Sequence, residues 1–365
     1  MRWRRTGRRP VTMSPPNAPV YSKEKLMKVS GRFGAGPLSD VPSEVERAER
    51  LNYDAITTSE TKYEATTRWT LAAHVSTRAE VGTSIIIAFP RSPFVMAQMA
   101  WELQKTTGGR VMIGLGTQVK GHNERRFSSG DWEAPATRMD EYVRMIRAVW
   151  DTFQTGAKPE FEGRFYNFTL CPPAFNMGPI DVPPPKIFIS AVGPAMTRVA
   201  GRVADGLFLH GFTTEKYVRE VTLPELAHGA EQAGRDVSDI EVSGGGMMAI
   251  GENESEIEEK LLALRQPISF YGSTRTYLSV FDKHGLGELG LMLHDMSVRG
   301  EWERMIESVP LDVVREFAVA STYDDLPDLL SKRMDYATRV SLDAPSETPA
   351  EEARLTDLIR RVQAI

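Results

Sequence analysis

One cysteine, Cys171, is all that the 365 residues contain. An intrachain disulfide, a thiolate zinc site and a cysteine-ligated iron–sulfur cluster are therefore excluded, and a reducing cytoplasm is the expected setting. Histidine is scarce too. His74, His122, His210, His228, His284 and His294 lie too far apart for a local metal motif, and no metal site is expected. No apolar run approaches the roughly 20 residues that span a bilayer, so no membrane role is expected. The sequence also lacks a G-x-S-x-G elbow, a P-loop and H-E-x-x-H. Gly114 and Gly116 are followed by Val119 where a dinucleotide fingerprint needs its third glycine. Lys186 at a strand start and Lys120 in a loop do not offer the strand-end lysine of a Schiff-base enzyme.

Basic charge is missing from most of the chain. Residues 1–28 hold eight Lys/Arg against one acid, Glu24, which leaves 36 basic and 48 acidic residues beyond them, a net charge of −12. An acidic body argues against a nucleic-acid partner, which needs a basic face. The stretch 1–25 has four prolines and no apolar h-region, and it reads as a disordered basic tail.

What is present is an alternation of short β-branched runs with amphipathic stretches. Strands are expected at 26–33, 53–60, 81–90, 111–118, 186–194, 204–212, 239–251 and 339–343. Between them, Ser43 with Glu46 and Thr137 with Asp140 read as capping boxes, and Ser92 with Pro93 as a helix start. The latter helix carries Val95, Met96, Met99, Ala100 and Leu103 on one face and ends at Gly108 and Gly109. Residues 155–185 hold seven prolines and break the rhythm, and a second interruption fills 252–335. Eight strands, apolar on both faces and separated by helices, predict an α/β fold, a (β/α)8 TIM barrel over 26–343 with insertions at 155–185 and 252–335. Residues 344–365 supply a closing C-terminal helix.

In such a barrel the site lies at the C-terminal ends of the strands. SAVGPAMTRVAGRVADG (190–206) ends a strand in small residues before a helix whose unpaired amides suit a phosphate, a use of Gly and Pro that any strand-to-helix turn can also make. IGLGTQVKGHNERRF (113–127) adds Thr117, Gln118 and His122, with Arg125 and Arg126 beyond as either a solvated pair on a helix or a grip for a phosphate or carboxylate, Arg125 being the substrate candidate. Glu60 is the best acid candidate, either as a proton donor or as a structural hydrogen-bond partner. His122 and His210 can each donate a proton or be structural; His122 is taken as the second catalytic candidate and His210 as a substrate contact.

TTSETK (57–62), GTSIIIAFPRSP (82–93), GGRVMIGLGTQVKGHNERRF (108–127), SAVGPAMTRVAGRVADG (190–206) and ISFYGSTRTY (268–277), in that order and spacing, resemble the luciferase-like monooxygenase superfamily. Within it the chain is most similar to the coenzyme F420-dependent oxidoreductases near the methylene-tetrahydromethanopterin reductases. The resemblance implies a flavin or deazaflavin ring at the barrel mouth, backed by a non-prolyl cis peptide that falls here on Ser84 and Ile85. It implies contacts to the ring or its side chain from the loop of Thr117, Gln118 and His122, and a phosphate held by Ala191, Val192, Gly193 and the start of the Met196 helix. It also implies a homodimer.

One departure matters. Sugar-phosphate dehydrogenases of the superfamily show an Asp-His pair after the second strand, where this chain has Glu60 and Thr61, so a sugar-phosphate substrate is not implied. The expected function is hydride transfer between coenzyme F420 and a small organic substrate. The alternatives are an FMN-dependent monooxygenase, supplied with reduced flavin by a partner reductase, and a non-catalytic barrel that binds a flavin or a partner surface.

Overall fold

Strand alternation builds a ring. In the computed structural model, which describes residues 26–344 and 346–365, eight parallel strands close on themselves: β1 Lys28–Arg32, β2 Ala55–Thr58, β3 Glu80–Thr83, β4 Val111–Gly116, β5 Lys186–Ala191, β6 Gly206–Leu209, β7 Glu241–Gly244 and β8 Arg339–Ser341. Consecutive strands pair all the way round, and Lys28 opposite Arg339 joins β1 to β8. The closed eight-stranded barrel is as expected. The basic tail at 1–25 lies outside the described residues.

Alternation along the strands sorts side chains into layers. The floor is charged, with Lys28, Glu80, Lys186, Glu241 and Arg339 in one network. Above it Ala55, Met112, Phe188 and Phe208 fill the interior, and Phe188 stacks on Phe208 at 4.7 Å. The outer faces of the strands and the inner faces of the helices form the main core, where Trp69, Trp101 and Tyr142 are fully enclosed.

Several local expectations are corrected. The helix Val41–Arg50 starts before Ser43, whose hydroxyl donates to the Asp40 carbonyl, so Ser43 and Glu46 form no capping box. The helix Pro135–Thr155 starts at its proline, and Asp140 serves Arg144 and Arg202 instead of a cap. Ser92 does cap the helix Pro93–Thr107, which ends at left-handed Gly108, but Val95 on that helix is 59% exposed and is not a core residue. The run 239–251 is two strands. It breaks at Gly245 and Gly246 (φ +110°), and Met247–Gly251 leaves the barrel to pair with Ala318–Thr322. That pair and the helices between Glu254 and Phe317 make a subdomain with its own core around Phe212, Phe281 and Phe317. The closing helix is Pro349–Gln363, started by a true capping box of Thr348 and Glu351.

Candidate functional site

The mouth is built on glycines. A Cβ at Gly114 would stand 2.0 Å from the Thr83 carbonyl, so only glycine lets β3 and β4 approach this closely there. Thr83 fixes the approach, its hydroxyl donating to the Gly114 carbonyl and accepting the Gly114 amide, both at 3.0 Å. Just beyond, the bond between Ser84 and Ile85 is cis, as the resemblance implies, and a two-residue strand, Ile86–Ile87, continues the pairing with β4. Ser84 is exposed at the mouth, and Ile85 lies over Gly116, where a Cβ would meet its Cδ1 at 2.6 Å.

Glu60 sits beneath this turn rather than facing the mouth as a free acid. Its backbone amide donates to the Ile85 carbonyl at 3.0 Å, and its carboxylate accepts the Ile87 amide at 2.8 Å. Arg91 completes the arrangement with a two-pronged contact to both carboxylate oxygens at 2.8 and 2.6 Å. With both oxygens engaged and the side chain 6% exposed, Glu60 is held in place by its partners. Arg91 is the partner that the local sequence does not reveal.

The loop after β4 is organised by a residue that sequence reasoning passes over. Asn123 is buried, donates to the carbonyls of Thr117 (2.8 Å) and Val119 (3.1 Å), and accepts the Ser129 hydroxyl. Its pull on both carbonyls accompanies the left-handed backbone of Gln118 (φ +59°), whose side chain accepts the Val119 amide. Thr117 and Gln118 stay half-buried at the mouth, whereas His122 and Arg125 lie exposed on the following short helix. Arg125 has no salt bridge among the described residues, and its guanidinium folds over Gly121.

Across the barrel, β5 delivers Ala191, Val192 and Gly193 to the helix Pro194–Val203. Gly193 is its N-cap, no side chain caps it, and open space lies where a Cβ would be. The amides of Ala195 and Met196 thus stay available for an anion. The Tyr217 hydroxyl donates to the Val192 carbonyl at 3.2 Å and ties the turn to the subdomain through Ser279.

His210 follows β6. Its Nδ1 accepts the Phe212 amide at 2.9 Å, which places the proton on Nε2. Burial lowers its pKa to about 4, so the ring is neutral at pH 7. Tyr277 stacks on it at 4.8 Å and Tyr271 meets it edge-on at 4.6 Å. Both tyrosines belong to ISFYGSTRTY, a stretch far from His210 in sequence, and long-range packing alone joins them. Among the described residues no cluster of three or more His, Cys, Asp or Glu side chains suits a metal ion, and no helix is long and apolar enough to cross a membrane.

Comparison with known proteins gives the family and the fold. The family described as luciferase-like monooxygenase matches residues 22–335. An uncharacterized protein of Mycobacterium tuberculosis, Rv1360, is 39% identical over 302 residues, 81% of this chain and 88% of its own. The 5,10-methylenetetrahydromethanopterin reductase of Methanopyrus kandleri is 25% identical over 301 residues, 78% of this chain and 82% of its own. The solved structure of a coenzyme F420 dependent tetrahydromethanopterin reductase from Methanopyrus kandleri superposes with a TM-score of 0.71 at 20% identity, covering 93% of this chain and 98% of that one.

Proposed function

We propose that this chain, which belongs to the luciferase-like monooxygenase family of oxidoreductases and monooxygenases, is a coenzyme F420-dependent oxidoreductase acting on a small organic substrate. The observation that carries the reading is the cleared platform. Gly116 leaves the space over β4 to Ile85, and Gly193 opens the way to an uncapped helix N-terminus. A flat ring with a phosphate side chain fits both openings, the ring over Ser84 and Ile85 and the phosphate at the amides of Ala195 and Met196.

When bound, the deazaflavin supplies two-electron hydride chemistry. The protein fixes the ring face through Ile85, Thr117 and Gln118, and Glu60 with Arg91 holds that turn in place. His210, neutral and protonated on Nε2, offers a hydrogen bond to a substrate oxygen without carrying charge. The aromatic wall of Tyr271 and Tyr277 excludes water from its flank. Arg125 and Arg275, both exposed and without salt bridges among the described residues, suit the longer anionic tail of coenzyme F420 better than the single phosphate of FMN.

The test is equilibrium binding of coenzyme F420 and FMN to the purified full chain, followed by absorbance or fluorescence quenching. Coenzyme F420 should bind at least tenfold more tightly, a gap of about 1.4 kcal/mol. Preference for FMN would transfer the assignment to a flavin monooxygenase, and binding of neither would remove the catalytic reading.

A further inference from the structure

One buried hydroxyl reaches the turn after β5. It belongs to Tyr217, on the short helix Glu215–Tyr217 that follows β6. The hydroxyl donates to the Val192 carbonyl at 3.2 Å, and among the described residues no other group donates to that oxygen. A phenol has one proton to give, so the Ser279 hydroxyl, also at 3.2 Å, is the donor to Tyr217. Val192 stands immediately before Gly193, the N-cap of the helix Pro194–Val203.

The Val192 carbonyl and the Gly193 amide belong to one planar trans peptide and point in opposite directions. Holding the carbonyl on Tyr217 therefore turns the Gly193 N–H the other way. That N–H makes no hydrogen bond among the described residues, and neither do those of Ala195 and Met196. Thr197 steadies the next peptide, its amide and its hydroxyl both donating to the Gly193 carbonyl at 3.1 Å. Glycine leaves the peptide before it free to rotate, so the hydrogen bond from Tyr217 selects the orientation that is seen.

The subdomain holds Tyr217 at both ends. Ser279, on the helix Leu278–Lys283, serves its hydroxyl. Its amide donates at 3.0 Å to Thr214 Oγ1, which pairs at 2.7 Å with Nε2 of His284, the residue after that helix. Val192 itself packs on the subdomain core. We propose that Tyr217 is a positioning residue for the cofactor, its hydroxyl orienting the peptide between Val192 and Gly193 so that the Gly193 amide joins those of Ala195 and Met196 around the phosphate. The inference rests on the proposed function for what the turn binds. Tyr217 acts through this peptide and not by contact, so the insertion that carries Ser279 contributes to phosphate affinity and not to ring affinity.

The test is equilibrium binding of two probes to the full chain, coenzyme F420 and the deazaflavin nucleoside that lacks its phosphate and the tail beyond. Wild type should bind coenzyme F420 more tightly than the nucleoside. Tyr217→Phe should weaken coenzyme F420 about fivefold or more, the worth of one lost hydrogen bond, and the nucleoside less than about twofold. Ser279→Ala keeps the Tyr217 proton but removes its support, and should weaken coenzyme F420 about twofold while sparing the nucleoside. It carries the comparison if Tyr217→Phe does not fold. Equal losses for the two probes, or no loss for either, would overturn the positioning role and leave the proposed function standing. Preference of wild type for FMN would overturn the proposed function instead, and FMN against riboflavin would then put Tyr217 to the same comparison. Binding of no probe by wild type would overturn both.

Discussion

Arg339 donates from Nη2 to Glu80 Oε2 at 2.6 Å, at the bottom of the barrel and out of reach of solvent. The same nitrogen lies 3.4 Å from Glu241, Nη1 donates to Ser30 at 3.3 Å, and Lys28 and Lys186 close the network from either side. The barrel interior thus ends in ion pairs instead of apolar side chains, and its floor carries charge of both signs.

Removing the central cation leaves two carboxylates facing each other. Arg339→Met should therefore destabilise by about 3–5 kcal/mol, the range for breaking a buried pair by deleting one partner. Denaturant unfolding measures it, and a loss under 1 kcal/mol would mean that the two flanking lysines suffice. The network also sets an acid limit. Burial alone would raise the Glu80 pKa, but Arg339 and Lys28 hold it down at about 2, against 4.5 for a free side chain. A depressed carboxylate gives stability that is complete above the unfolded value and is lost as pH falls through 4.5 toward 2. Glu80→Gln should flatten the stability profile over that window.

Gly114 and Gly116 differ in what a methyl group would strike. At Gly114 it meets backbone, the Thr83 carbonyl, and the β3–β4 approach must open. At Gly116 it meets the far end of Ile85, which can swing aside. Gly114→Ala should cost about 3 kcal/mol or more, and Gly116→Ala about 1 kcal/mol or less. Gly116→Ala should instead weaken cofactor binding at least tenfold, because displaced Ile85 intrudes on the platform. Comparable stability losses in calorimetry would refute the distinction.

Glu60 makes the corresponding case for a carboxylate that acts by position. Glu60→Gln should cost about 3 kcal/mol and weaken cofactor binding, since the Arg91 contact and the Ile87 amide lose a charged acceptor. Arg91→Met should do the same. Neither should move the acid limb of a pH–rate profile, and a shifted limb in Glu60→Gln would restore Glu60 as a proton donor.

The strands were legible because a parallel barrel buries both faces of each, so Val81, Ile113, Ile187 and Leu207 stand in runs that no surface strand tolerates. The cis bond fell at Ser84 and Ile85, where the family resemblance puts it. What stayed hidden was decided by partners far along the chain. Glu60 looks like a free acid until Arg91 closes on it, and Arg339 looks like a surface residue at a strand start until Glu80 and Glu241 converge there. The break after β7 was hidden because Gly245 and Gly246 extend a strand pattern, while Leu209 and His210 crowd Gly245 and turn the chain outward.

His210 tests whether the mouth works without a titrating group of its own. The Phe212 amide occupies Nδ1, and burial with the flanking tyrosines leaves a ring whose pKa lies at about 4. For a base depressed below its ordinary 6.5, stability is complete above 6.5 and is lost as pH falls toward 4, because the unfolded chain takes up the proton first. His210→Gln should remove that dependence in unfolding experiments between pH 4 and 6.5, and the wild-type imidazole should show no NMR titration between pH 6 and 8. On the proposed function, the Nε2–H then acts as a hydrogen-bond donor throughout the neutral range and does not itself transfer a proton. A solvent isotope effect on turnover that persists in His210→Gln, at reduced rate, is the expected signature. An imidazole that titrates near 6.5 would return His210 to acid–base duty.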